Sequence, residues 1–171
     1  HDVFKKKEKA ALRLKTDSFV VESNVHFPTD YNLLWDCARK SMDTISYFLE
    51  KHHLTGWRKL HNWRKSIKGL MQSVGRASVG GGKNKEARLK GATEKFLDKS
   101  RRLLKKLHHT KQEIPISTSA DAAQLTVLEQ FIELFEKHID LVERRILQGE
   151  KIPHQEKMFS IFETYTEWIT K

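Results

Sequence analysis

The chain is short of the features that staple, punctuate or anchor a fold. It has one cysteine, Cys37, which excludes an internal disulfide and fits a reducing compartment. It has three prolines, so long stretches are free of the strongest helix breaker. No apolar run approaches the roughly 20 residues of a membrane span. The lysines of His1-Asp2-Val3-Phe4-Lys5-Lys6-Lys7 have no apolar stretch behind them, so they do not read as a secretory signal. A cytoplasmic protein that does not enter the membrane is the expectation. The 171 residues suffice for one domain, or a domain with a subdomain.

Negative charge is scarce in one region. Residues 57–111 hold 17 Lys/Arg against 3 Asp/Glu, a net of +14 within a whole-chain +10. Residues 1–56 come to +1 and residues 112–171 to −5. A polyanion would meet the middle of the chain, and nucleic acid is the first candidate because phosphate neutralisation dominates such affinity. The alternative is a basic helix surface that is merely solvated.

Periodicity organises the rest. Short strands are expected at 11–16 and 19–23, the second on the β-branched pair Val20-Val21. Pro28 ends regular structure, and Asp30 is placed to cap a helix over 31–53 with Leu34, Cys37, Ala38, Ile45, Phe48 and Leu49 on one face. Gly56 breaks it. A helix over 57–74 follows, with Trp57, Leu60, Trp63, Ile67, Leu70 and Val74 as its apolar stripe. Residues 75–84, with four glycines, read as a flexible basic loop. A third helix spans 84–110 on Leu89, Phe96, Leu103 and Leu107. The fourth has the cleanest pattern, with Leu125, Leu128, Ile132, Phe135, Ile139, Val142 and Ile146 in steps of three and four. Gly149 and Pro153 stop it, and the chain reads as extended through 158–163.

The run Asp17-Ser18-Phe19-Val20-Val21-Glu22-Ser23-Asn24-Val25-His26-Phe27-Pro28-Thr29-Asp30, followed by Leu33-Leu34, resembles the first catalytic aspartate region of DDE transposases of the IS5-like and ISNCY-like groups. Phe159-Ser160-Ile161-Phe162-Glu163-Thr164-Tyr165 resembles the strand that returns to the core after their helical region. The match is strongest at 12–36 and 157–171. Phe19 departs from it, standing where a smaller residue is common. The resemblance implies an RNase H-like core with Asp17 on its first strand, both as catalytic residue and as ligand for Mg²⁺ or Mn²⁺. In such enzymes one metal activates the attacking oxygen and the other stabilises the leaving one. It also implies double-stranded DNA as partner, both transposon ends and target, and a homodimer. The remaining acidic ligands would lie beyond Lys171, so tight metal binding by these residues alone is not expected.

Other constellations are weaker. Glu22 reads as a solvent-facing strand residue, Asp30 as a cap, and Glu163 as a returning-strand residue that is not the family's final glutamate. Gly80-Gly81-Gly82-Lys83-Asn84 fails as a phosphate-binding P-loop, because Ala77 stands where the first glycine is required and Asn84 where Ser or Thr is. His52-His53 and His108-His109 are adjacent pairs that point about 100° apart on a helix, a poor arrangement for chelating one ion. Trp57 and Trp63 sit in an apolar stripe, which favours core packing over base stacking.

The expected architecture is mainly α with a small β part: a long-helix bundle inserted in or attached to a partial RNase H-like core. Residues 1–30 would supply the first strands, 31–152 the helical insertion with its basic loop, and 153–171 the returning strand. Arg58, Lys65, Lys68, Arg76, Lys83, Lys85, Lys99, Arg102 and Lys106 are the candidate DNA contacts. A non-catalytic helical DNA-binding or assembly protein would use the same surface without metal chemistry.

Overall fold

A computed structural model describes residues 29–158 and 160–162, and the regular structure among them is helical. Helix α1 spans Asp30–His52, α2 Leu60–Val79, α3 Lys85–Glu113 and α4 Ser119–Val142. The end of α4 loosens into a π-turn at Glu143–Leu147, and a single 3-10 turn follows at His154–Glu156. The strands expected at 11–16 and 19–23, with Asp17 and Glu22, lie outside the described residues, as does Glu163. The expectation of a returning strand needs correction where it can be seen. Residues 153–158 and 160–162 form no strand, only the 3-10 turn and a bend.

Short connectors force each helix to run antiparallel to the one before it, and cross-helix pairs fix the register. Trp57, just before α2, donates its indole N–H to Thr110 near the end of α3 (2.8 Å). Lys51 at the end of α1 meets Asp121 at the start of α4 (2.7 Å), and Asp30 at the start of α1 meets Arg145 past the end of α4 (2.6 Å). The result is an up-down-up-down bundle in which α1 packs on α2 and α4, and α3 on α2 and α4. Leu34, Met42, Ile45 and Phe48 of α1, Phe96, Leu97, Leu103 and Leu107 of α3, and Leu128, Ile132, Phe135 and Val142 of α4 form one buried core. Each such side chain contributes about 1.5–3 kcal/mol by leaving water. Helix α2 gives the core only Ile67 and Val74 as fully buried residues.

Two boundaries differ from the sequence pattern. Asp30 is not the cap of α1. Thr29 holds that position, and Asp30 is the first helical residue, its carboxylate spent on Arg145. Gly75 to Val79 belong to α2 and not to a loop, which shrinks to 80–84. Gly75 packs beside the Tyr31 ring of α1, where a Cβ would lie at an ordinary contact distance of 3.6 Å. The loop after α1 turns through His53 and Gly56, and the φ of +86° at Gly56 is one that a side chain would strain.

The start of α4 is fastened more firmly than its sequence suggested. Thr118 caps the helix by accepting from the Asp121 backbone N–H (3.2 Å), and the Asp121 carboxylate accepts from the Ser117 and Thr118 backbones (3.1 and 3.0 Å). The same carboxylate, with no solvent exposure, also receives Lys51 and the Tyr47 hydroxyl (3.1 Å), and His52 Nε2 lies 3.3 Å away. The Lys51 ammonium first, helped by the Thr118 and Ser117 donors, holds Asp121 well below the usual carboxylate range. At the far end, Arg144 joins Asp140, Glu150 and Glu156 and folds the segment after α4 back onto the bundle.

Candidate nucleic-acid interface

Charge separates by helix. Helix α2 carries four Lys/Arg and no Asp/Glu, and α3 carries ten against four. Helix α4 is acidic, and its carboxylates reach across to one side of α3. Lys111 pairs with Glu129 (3.2 Å), His108 with Glu136 (2.8 Å), and Arg101 with Glu143 at the π-turn. The basic residues of α3 on the α4 side are therefore neutralised. Those on the α2 side face no acidic helix, and the positive field of the bundle concentrates on the α2–α3 face.

The nine candidate contacts do not form one cluster. Arg58 is exposed in the turn before α2, Lys65 and Lys68 are exposed on α2, and Arg76 is exposed near its end, bonded to Ser73 Oγ (3.3 Å). Lys83 and Lys85 are exposed at the α2–α3 turn, a helix length from Arg58, about 30 Å for a helix this long. Lys99 lies 3.8 Å from the centre of the Trp63 ring, and Lys106 4.7 Å from that of Trp57. These two half-buried lysines brace the α2–α3 packing through their indoles as well as lending charge. Arg102 is exposed and shares its charge with Asp98 (2.9 Å). Trp57 is a core residue, as its apolar stripe implied, while Trp63 is half-buried.

Two clefts flank the first half of α2. One, of about 490 Å³, lies toward α1 and is lined by Trp35, Arg39, His61, Arg64, Lys65 and Lys68. Asp43 takes up part of its charge by pairing with Arg64 (2.6 Å) and Arg39 (3.6 Å). Lys65 and Lys68 have no ion partner among the described residues. The other cleft, also about 490 Å³, lies toward α3 and holds Trp63, Arg102, Lys105, Lys106 and His109, with the carboxylate residue Glu113 at its edge. A larger opening of about 650 Å³ lies on α4, diagonal to α2, between Phe131, Leu134 and Phe162, and is mainly apolar. The clefts beside α2 are the ones suited to phosphate.

No group of three His, Cys, Asp or Glu among the described residues is arranged to hold a metal ion. His52 ends α1 and His53 caps it, while His108 and His109 are drawn to Glu136 and Glu113. Sequence reasoning missed the Asp121 cluster, although the Thr118-Ser119-Ala120-Asp121 spacing carried a capping signal. It also missed His138, buried in α4, whose Nδ1 donates to the Leu134 carbonyl (2.7 Å) while Nε2 has no partner. Its neighbour Cys37 (3.7 Å) is equally buried, and burial pushes that thiol far above its ordinary range, leaving it inert. Comparison of the chain with protein-family models, curated proteins and solved structures finds no match.

Proposed function

We propose that this chain is part of a DDE-type transposase, which cuts and joins DNA by two-metal phosphoryl transfer, and that its helical bundle holds duplex DNA on the α2–α3 face. The observation that carries the DNA reading is the one-sided charge: the acidic residues of α4 neutralise one flank of α3, and the α2 flank stays positive. An inserted bundle needs its entry and exit side by side, and the Asp30–Arg145 pair brings the start of α1 to the end of α4. Catalysis rests on the motif around Asp17, with Mg²⁺ or Mn²⁺ as the metals of the complete site.

A second reading, a non-catalytic helical DNA-binding or assembly protein, rests on the same one-sided charge of α2 and α3 without metal chemistry. Asp17→Ala in the whole protein separates the two. Loss of strand cleavage with DNA affinity retained supports the enzyme, and unchanged cleavage removes Asp17 from the chemistry.

The shared DNA claim has its own test. Log affinity should fall with log salt at about −0.9 per phosphate neutralised. Neutralising Lys65, Lys68, Arg102 and Lys106 together should weaken binding on every sequence and flatten that slope while the helical circular dichroism is kept. An unchanged affinity and slope in the folded variant would show a merely solvated surface.

A further inference from the structure

Beyond the end of α4 the chain turns back along that helix. Ile152 is buried, Glu156 meets Arg144 (2.7 Å), and Ile161 is buried in the shared core. Phe162 then packs edge-on against Phe131, with ring centres 6.4 Å apart. Phe131 precedes Arg144 by about 20 Å of helix, so this stretch runs antiparallel to α4, from its end toward its middle. One turn further on the same course stands Val127, which lines the apolar opening of about 650 Å³ together with Phe131, Leu134 and Phe162. Phe162 is 60% exposed, although the residue before it is anchored in the core. A large exposed ring beside an apolar hollow makes one joint apolar surface, of the kind that marks a contact site.

We infer that this opening is the docking site of the chain's own next segment, residues 163–171, which covers it through Tyr165, Trp168 and Ile169. The inference does not rest on the DNA reading, since the opening lies on α4, diagonal to α2. Counted from Phe162, Tyr165 is within about 10 Å of extended chain and Trp168 within about 20 Å. Only about 6 Å of helix separates Phe131 from Val127, so the reach is ample. A segment tethered this closely meets the opening at an effective concentration of about millimolar, ahead of any separate chain. Tyr and Trp each bury about 150–250 Å² when covered, the largest return available to side chains in that stretch. Charge adds a smaller preference. Lys137 at the opening and Lys40, 5.1 Å from the Phe162 ring centre, have no ion partner among the described residues, and Glu163 and Glu167 carry the opposite sign. Glu133 lines the opening too and opposes those carboxylates, which leaves the apolar contact to carry the docking.

The test uses the intact chain labelled with 5-fluorotryptophan, whose four tryptophans give four fluorine resonances. Loss of one line in Trp168→Phe identifies Trp168, and a labelled peptide of residues 163–171 gives the position of the free indole. In the parent the Trp168 line should stand away from the free position. Val127→Glu, which places a charge in the opening at a half-buried residue, should move that line to the free position while the helical circular dichroism is kept. Val127→Ser serves the same purpose should the charged variant fail to fold. A parent line already at the free position, or a displaced line that neither folded variant moves, would overturn the assignment. A displacement seen only at concentrations where sedimentation finds a dimer would overturn it as well, in favour of a second copy at the opening.

Discussion

Phe135 offers the sharpest check of the bundle, because everything about it follows from one face of α4. It is fully buried in the shared core, and α4 packs there against α1 and α3. Phe135→Ala removes the ring and leaves the surrounding helices to close around the hole. The lost transfer free energy of the ring is about 2 kcal/mol. Each Å³ of void left open adds about 24 cal/mol, so a half-collapsed hole of roughly 60 Å³ adds about 1.5 kcal/mol. The sum, about 3.5 kcal/mol, lies within the usual range of about 3–5 kcal/mol for such changes. In urea melts followed by circular dichroism, with m of about 2 kcal/mol/M, the midpoint should fall by roughly 1.8 M with m unchanged. Phe131→Ala, at a half-buried position near Phe162, should cost clearly less. A loss below about 1 kcal/mol for Phe135→Ala would mean that the α4 stripe faces a partner and not the core of its own chain.

Two further predictions concern acid. His138 is buried beside Cys37, with Leu134 O accepting from Nδ1, and burial lowers its pKa despite the favourable Asp30. The unfolded chain therefore binds this proton first. The stability His138 contributes is complete above about pH 6.5 and is lost as pH falls toward its lower folded value, so His138→Leu should flatten the stability–pH curve below about pH 6.5. Asp121 is depressed mainly by Lys51, so its contribution is complete above the ordinary carboxylate pKa of about 3.9 and is lost below it. Lys51→Met should shift that acid unfolding to higher pH in circular-dichroism titrations, and an unshifted transition would remove the pair from the account.

The four helices were legible because each carries an apolar stripe at helical spacing, and that signal belongs to the chain alone. Gly75 misled the reading of α2's end for the opposite reason. In sequence it opens a glycine-rich run, but in the fold it packs beside Tyr31 of another helix and α2 continues to Val79. Asp30 looked like a cap because nothing local reveals Arg145, 115 positions away. The density of positive charge was visible from 57 to 111. Which of those charges α4 would neutralise was not, because it depends on the antiparallel register of α3 and α4. Lys99 and Lys106 were read as candidate DNA contacts, and only the packing of α2 on α3 places them over indoles.

The division of labour among the helices also explains why binding and folding can be tested apart. Leu33, Leu34, Trp35, Cys37, Ala38, Met42, Ile45 and Phe48 of α1 are buried, against Ile67 and Val74 of α2. Helix α2 adds fewer fully buried side chains, while its Leu60, Trp63, Leu70 and Met71 pack half-buried against the core. The exposed charges of Lys65 and Lys68 on α2 add almost nothing to stability, since exposed ion pairs are worth at most about 1 kcal/mol and these two make none among the described residues. Removing them should leave the fold as it is. A loss of DNA affinity in such variants is then a loss at the surface itself.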